Sequence, residues 1–291
     1  MFEIIVIGGT ASQRLSAEVA SLLSCDILRV KKKHFPDGEL YIKIERGVKD
    51  EDVILIQSTH YPQVENTMEL IFLLDLLSDY EPNSMRVFIP YLGFSRQDKR
   101  FEEGEVISVK AVAKMISHFD IDLLYLFDVH KPHIIDFFNV PVKELSAISL
   151  LASYIKDLNI KDLMVIAPDR GALKKARDLA SILEIDFDYL EKERVAPGIV
   201  KMKEKDLNVK EKNIVLIDDI IDSGGTIIEA SEFLFKRGAK KIIASCIHPV
   251  LSRNALSKIL ACNVSDLIAT NSIEREVSKV SLAPLIANEI S

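Results

Sequence analysis

Short apolar runs recur along the chain, each ending in a turn that opens a helical stretch. Ile4–Ile7, Val53–Gln57, Arg86–Tyr91, Leu123–Phe127, Leu163–Ala167, Phe187–Leu190, Ile214–Ile217, Ile242–Ile247 and Asp266–Thr270 read as strands. They are rich in Val, Ile and Leu, too short for helices, and apolar on both faces, as buried parallel strands are. Helices are predicted over about Ser12–Leu23, Val106–His118, Ile148–Leu158 and Arg253–Leu260, with a short amphipathic one at about Leu282–Ile290. After Val53–Gln57, Met68, Ile71, Phe72, Asp75 and Leu76 mark the expected core face of a helix. After Leu163–Ala167, Leu173, Ala176, Leu179, Ala180 and Leu183 do the same. Alternating strands and helices predict an α/β fold of two doubly wound, mainly parallel-sheet domains, 1–142 and 143–291. The last helix is expected to pack back on the first domain. The halves share a rhythm but no sequence repeat that would prove duplication.

Three stretches break the rhythm. In 34–44, Pro36-Asp37-Gly38 signals a turn, and Leu40, Ile42 and Ile44 then alternate with Tyr41 and Lys43, as in a half-buried antiparallel strand. The loop from Leu92 to Glu105 carries Arg96, Lys99 and Arg100, which suits a lid bringing cations to a phosphate, although a charged loop is more often just a solvated connection. Glu191-Lys192-Glu193-Arg194, a Pro197-Gly198 turn and Ile199–Met202 read as a charged hairpin, with Lys192 and Arg194 on the same side. Among the histidines, His130 stands beside Asp128 at a strand end, whereas His34, His60, His118, His133 and His248 read as structural.

The richest stretch is 213–226. Ile214–Ile217 is a buried strand with Asp218 and Asp219 at its expected carboxyl end, and Asp222-Ser223-Gly224-Gly225-Thr226 turns into a helix reaching about Lys236. In open α/β sheets ligands bind at the carboxyl ends of strands. A glycine turn opening a helix offers N–H groups and a favourable dipole to an anion, and Ser223 and Thr226 add hydroxyl donors. The acids repel phosphate but accept from a diol, so the pattern fits a sugar phosphate. A nucleoside triphosphate in a P-loop would need a lysine after the last glycine, and none is present. Pro168-Asp169-Arg170-Gly171 is a second acid-and-glycine turn opening a helix, equally readable as a simple N-cap.

Composition narrows the function class. A chain of 291 residues, 48% hydrophobic, has core enough for roughly two domains. A net charge of −7 argues against a nucleic-acid-binding surface. Cys25, Cys246 and Cys262 form no CxxC and lie in apolar surroundings, which suggests free thiols in a reducing compartment. The first residues read as a strand rather than a signal peptide, and no apolar stretch could span a bilayer, so a cytoplasmic protein without membrane contact is expected.

The stretch 218–226 resembles the phosphoribosyl-pyrophosphate-binding loop of the type I phosphoribosyltransferase superfamily. Together with Phe35-Pro-Asp-Gly-Glu39, Ser95-Arg-Gln-Asp98, Asp128-Val-His130, Pro168-Asp-Arg-Gly171 and Lys192-Glu-Arg194, it gives nearly the whole chain a resemblance to the ribose-phosphate diphosphokinases. That resemblance implies two phosphoribosyltransferase-like domains and transfer of the β,γ-diphosphoryl group of ATP to the anomeric hydroxyl of ribose 5-phosphate. It implies ATP binding by Phe35, Asp37, Glu39, Arg96, Gln97 and His130. It also implies that the hairpin serves the site of a neighbouring subunit, so that at least a homodimer is expected. Lys192, Arg194 and Arg96 are the implied catalytic cations. Arg194, Asp218, Asp219, Asp222, Ser223, Gly224, Gly225 and Thr226 are implied to hold ribose 5-phosphate. Asp169, Arg170 and Gly171 would form the pyrophosphate turn, and His130 and Asp169 would bind Mg2+. Many relatives have two glycines in that turn where this chain has Gly171-Ala172. Competing readings are a phosphoribosyltransferase, which would need neither the first domain nor the hairpin, and a non-catalytic sensor, which should lack the cations.

Overall fold

A computed structural model describes residues 3–196, 199–202 and 207–290, with the backbone alone described over 192–202. The chain divides into two compact units. Unit 1 comprises Met1–Ser146, Asn271–Glu274 and Ser281–Ser291, and unit 2 comprises Ala147–Thr270 and Arg275–Val280.

Unit 1 runs β1 (Ile4–Gly8), α1 (Gln13–Leu23), β2 (Asp26–His34), β3 (Leu40–Ile44), β4 (Asp52–Ile56), α2 (Gln63–Asp79), β5 (Ser84–Ile89), α3 (Ser108–Ile116), β6 (Leu123–Phe127), a 3-10 turn (Pro132–Phe137) and β7 (Val142–Leu145). The sheet order is β3-β2-β1-β4-β5-β6-β7, parallel except where β2 and β3 form an antiparallel hairpin. The sequence pattern revealed β3 but not β2. In β2, Asp-Ile-Leu-Arg-Val-Lys-Lys-Lys-His, only Leu28 and Val30 are buried, so polar residues mask its period. The core packs Ile5, Ile7, Val53, Leu55, Val87, Ile89, Leu124 and Leu126 against the helices.

Helix α2 overturns the expected face. Leu70, Leu73, Leu74 and Leu77, with Asn66, Thr67 and Glu69, are buried. Phe72 and Asp75 are exposed, and Met68, Ile71 and Leu76 are half-buried. The helix is apolar over most of its circumference, so its period does not single out a core face, and the sheet selected one.

The C-terminal helix Ala283–Ile290 packs on α1 within unit 1. The segment leading to it is held by polar bonds: Asn271 Oδ1 accepts from Leu282 N at 2.8 Å, and Glu274 Oε1 accepts from Leu15 N at 2.9 Å.

Unit 2 runs α4 (Ile148–Asp157), β8 (Leu163–Ala167), α5 (Leu173–Leu183), β9 (Phe187–Tyr189), β10 (Lys192–Ala196), β11 (Ile199–Met202), β12 (Asn213–Ile221), α6 (Gly225–Lys236), β13 (Lys241–Pro249), α7 (Ala255–Leu260), β14 (Asp266–Thr270) and β15 (Ser278–Val280). Its sheet order is β15-β14-β13-β12-β8-β9, all parallel, and β10 and β11 form a separate antiparallel pair. The Pro197-Gly198 turn lies outside the described residues.

Setting aside the hairpins, the two sheets share one topology. In each, the first strand leads to a neighbour on one side, and the chain then crosses back to continue on the other. The reversal falls between β1 and β4 in unit 1 and between β8 and β12 in unit 2. Such reversals open a crevice at the carboxyl ends of the strands.

Candidate active site

The crevice of unit 2 is bordered by the turn after β8 and the turn after β12. Strand β12 outruns the sequence expectation: it continues through Asp218 and Asp219 to Ile221, pairing with β13 as far as Ile221↔Pro249. The acids therefore sit inside the strand rather than after it. They are half-buried. Asp218 Oδ1 accepts from Asp219 N at 2.8 Å, and Asp219 Oδ1 accepts from Ile220 N at 2.9 Å. Burial, a hydrogen bond with Asp219, and the charges of Asp219 and Asp169 push the Asp218 carboxyl up to about 8. The Asp169 turn is thus close enough to act electrostatically on the acid pair.

Asp222–Thr226 then opens α6. Gly224 has φ +83°, and a Cβ there would lie 2.9 Å from Ile259. Both conditions demand glycine. A Cβ on Gly225 would meet nothing within 4 Å, so packing within the chain does not require that glycine. Ser223 is exposed and Thr226 half-buried. N–H groups at the start of a helix flanked by hydroxyls make an anion site.

In the turn after β8, Asp169 Oδ1 accepts from Gly171 N at 2.8 Å and from Ala172 N at 3.3 Å, the geometry of a turn-closing cap. Arg170 is exposed, with its guanidinium 3.7 Å from Glu191 and its carbon 5.8 Å from the Tyr189 ring. Lys192 and Arg194 lie on β10, in register with Met202 and Val200 of β11. Their side chains lie outside the described residues.

Unit 1 carries the other predicted residues. Phe35, Asp37 and Glu39 are exposed at the tip between β2 and β3. Phe35 N donates to Glu39 O at 2.9 Å, and Asp37 Oδ1 accepts from Glu39 N at 3.2 Å. Phe35 is 42% exposed; its ring meets Tyr41 edge-on at 5.8 Å and has Lys33 Nζ 5.4 Å from its centroid. Arg96 is exposed and Gln97 half-buried. Their loop folds on itself: Glu105 accepts from Gln97 Nε2 at 3.2 Å and from Phe101 N at 2.7 Å, and Arg100 Nε donates to Glu105 O at 2.9 Å. Half-buried His130 follows β6. Before it, Asp128 has φ +39°, an uncommon backbone for a non-glycine residue, and its carboxylate accepts from Ser146 Oγ at 3.2 Å.

Two histidines read as structural have partners that sequence did not reveal. His133 lies 3.0 Å from the 7%-exposed carboxylate of Asp98, tying the 92–105 loop to the segment after His130. His34 lies 3.5 Å from Glu65. Both acids are remote in sequence, so only the fold could pair them.

The donor chemistry fits a magnesium ion. Asp169, Asp218 and Asp219 offer carboxylate oxygens, the donor type that Mg2+ takes, although among the described residues no three His, Cys, Asp or Glu side chains form a metal cage. Mg2+ is usually held by one or two carboxylates together with waters and phosphates rather than by a protein cage. Among the described residues no helix is long and apolar enough to cross a membrane.

Comparison with known proteins covers nearly the whole chain. The family model described as the N-terminal domain of ribose phosphate pyrophosphokinase matches residues 4–119, and the one described as a phosphoribosyl transferase domain matches 140–282. A ribose-phosphate pyrophosphokinase of Methanothermobacter thermautotrophicus is 44% identical over 283 residues, 97% of this chain and 98% of that protein. One of Saccharolobus solfataricus is 36% identical over 97% of this chain and 99% of that protein. The crystal structure of phosphoribosylpyrophosphate synthetase from Mycobacterium smegmatis, 29% identical, aligns with a TM-score of 0.87 over 99% of this chain and 97% of that one.

Proposed function

The chain belongs to the ribose-phosphate pyrophosphokinase family, and we propose on that premise that it transfers the β,γ-diphosphoryl group of ATP to ribose 5-phosphate, giving phosphoribosyl pyrophosphate and AMP. The observation that carries the reading is the crevice of unit 2, where an acid pair with Asp218 pushed up to about 8 stands beside a glycine turn opening α6. That combination suits a ligand with a phosphate at one end and hydroxyls at the other. The turn Asp222–Thr226 is assigned the 5-phosphate, and Asp218 with Asp219 the ribose hydroxyls, which donate to the carboxylates. Asp169, Arg170 and Gly171 are assigned the pyrophosphate.

In unit 1, Phe35 is assigned the face of adenine and Asp37 and Glu39 its polar edge; Arg96, Gln97 and His130 are assigned the rest of ATP. The anomeric oxygen attacks the β-phosphorus as its proton is lost. The bond from that phosphorus to the oxygen shared with the α-phosphate breaks, and AMP leaves with that oxygen. Such a transfer needs little covalent help from protein. It needs in-line positioning and positive charge around the moving group. Lys192, Arg194 and Arg96 are the proposed cations, with Arg194 also reaching ribose 5-phosphate. Mg2+, with His130 and Asp169 as its proposed ligands, would supply further positive charge when bound. We further propose a cytoplasmic homodimer or larger assembly in which subunits share the adenine site.

Product analysis with ATP labelled separately at the α and β positions tests the reading. With ribose 5-phosphate and Mg2+, β label should move into the sugar product and α label remain in AMP. Lys192→Ala should lose activity by about a thousandfold or more. Ribose 5-phosphate binding without AMP or labelled sugar would overturn the proposal in favour of a non-catalytic sensor.

A further inference from the structure

The crevice of unit 1 lies where its topology would place a ligand, and the protein fills it. Glu69 reaches it from α2 with a fully buried side chain. One carboxylate oxygen accepts from Thr10 N at 2.6 Å, and the other accepts from Thr10 Oγ1 at 2.6 Å and lies 3.1 Å from Lys32 Nζ. Lys32 also lies 3.0 Å from Glu65, one helical turn earlier. A buried carboxylate persists only when paired and hydrogen-bonded, and here it is both. Burial works against the Lys32 ammonium, yet its bonds to Glu65 and Glu69 outweigh this and raise its pKa above the ordinary lysine value.

These bonds hold something that needs holding. Strand β1 pairs with β2 only as far as Gly8↔Arg29. Beyond that, Val30–His34 pairs only with the edge strand β3, so the hairpin overhangs the sheet. A two-stranded ribbon is marginal on its own. Strand alternation turns Lys32 and His34 to the same face, and both meet α2 acids, Lys32 at Glu65 and Glu69 and His34 at Glu65. The next residue is Phe35, the first of the adenine-binding tip.

We propose that Glu69 and Lys32 are positioning residues for ATP: they fasten the overhanging β2–β3 hairpin to α2 and to the Thr10 turn, and so set where Phe35, Asp37 and Glu39 stand. The proposal rests on the assignment of that tip to adenine. Neither residue is required to touch the nucleotide.

The test is steady-state kinetics on the full-length protein with Glu69→Gln, Lys32→Met, Lys32→Arg and Phe35→Ala, beside amide hydrogen exchange. Losing one charge-assisted partner should raise KM for ATP roughly tenfold or more in Glu69→Gln and Lys32→Met, with kcat and KM for ribose 5-phosphate changed less than about twofold. Exchange at the hairpin amides of Phe35 and Gly38 should quicken while β5 and β6 keep their protection. Lys32→Arg, which keeps the charge, should restore most of the ATP affinity. If Phe35→Ala raises KM for ATP and the anchor variants do not, the anchor is overturned and the adenine assignment stands. If Phe35→Ala leaves KM for ATP unchanged, the adenine assignment fails and the proposal falls with it. Should Glu69→Gln prove too unstable to assay, Lys32→Met, at a partly exposed position, decides the matter by the same readouts.

Discussion

At the carboxyl ends of β1 and β4 the protein closes on itself, whereas at the carboxyl ends of β8 and β12 it gathers charge of one sign. The two places are topologically equivalent. In unit 1 the residues after β4 are Gln57, Ser58 and Thr59, all fully buried. Gln57 accepts from Ala11 N at 3.1 Å, Ser58 N donates to Ser12 Oγ at 2.9 Å, and the Ser58 hydroxyl donates to Ser272 O. Glu69 supplies the one buried negative charge described there and has its own lysine. In unit 2 the equivalent strand carries Asp218 and Asp219, half-buried, with Asp169 acting on Asp218 from the neighbouring turn. Filled hydrogen bonds favour stability, whereas adjacent like charges destabilise a crevice until a ligand or cation offsets them. One fold thus gives a filled crevice and an acidic one, according to whether its polar groups satisfy one another.

Among variants of the two crevices, Asp218→Asn should give the largest change. On the proposed assignment the ribose hydroxyls lose a carboxyl acceptor, so KM for ribose 5-phosphate should rise about 10- to 100-fold. Stability should move the other way. Asp218 keeps its proton to about 8 in the folded unit but only to 3.8 in the unfolded chain. Between those values the folded form binds the extra proton, and stability falls as pH rises through the window. Thermal melts without substrates or divalent cations should show this decline in the wild type and a much flatter profile in Asp218→Asn. An equal decline in both would remove Asp218 as the source.

Gly9→Ala probes the filled crevice. A Cβ there would lie 2.1 Å from Gln57 Oε1 and 2.5 Å from its Cδ, inside a packed core. The variant should lose about 1–3 kcal/mol of stability, measured by denaturant titration. No loss would show that this crevice is looser than its hydrogen bonds suggest.

Gly225→Ala should give the smallest stability effect, opposite in sign. Its Cβ would enter open space at the first turn of α6, so the free protein should gain about 0.4–1 kcal/mol. The affinity for ribose 5-phosphate should nevertheless fall, because a phosphate on the backbone needs that space. Unchanged affinity would take the 5-phosphate away from this turn.

Much of this was legible in the chain. The α/β alternation showed because buried parallel strands are continuous apolar runs, as in Leu163–Ala167 and Leu123–Phe127. The acid-and-glycine turn at 218–226 showed because its residues are consecutive and their chemistry is local. Strand β2 was hidden because it sits near a sheet edge among lysines. The buried face of α2 was hidden because nearly every face of that helix is apolar, and with it went Glu69, which no sequence pattern marked out.

Sequence alone thus determined the α/β alternation and the family, and singled out two acid-and-glycine turns as candidate anion sites. The tertiary structure decided which polar groups meet: Glu69 with Thr10 and Lys32, Asp98 with His133, and Glu274 with the start of α1. Local patterns record what each residue's neighbours along the chain require. Whether a buried charge is satisfied depends on groups tens to hundreds of residues away, and only chain folding brings those together.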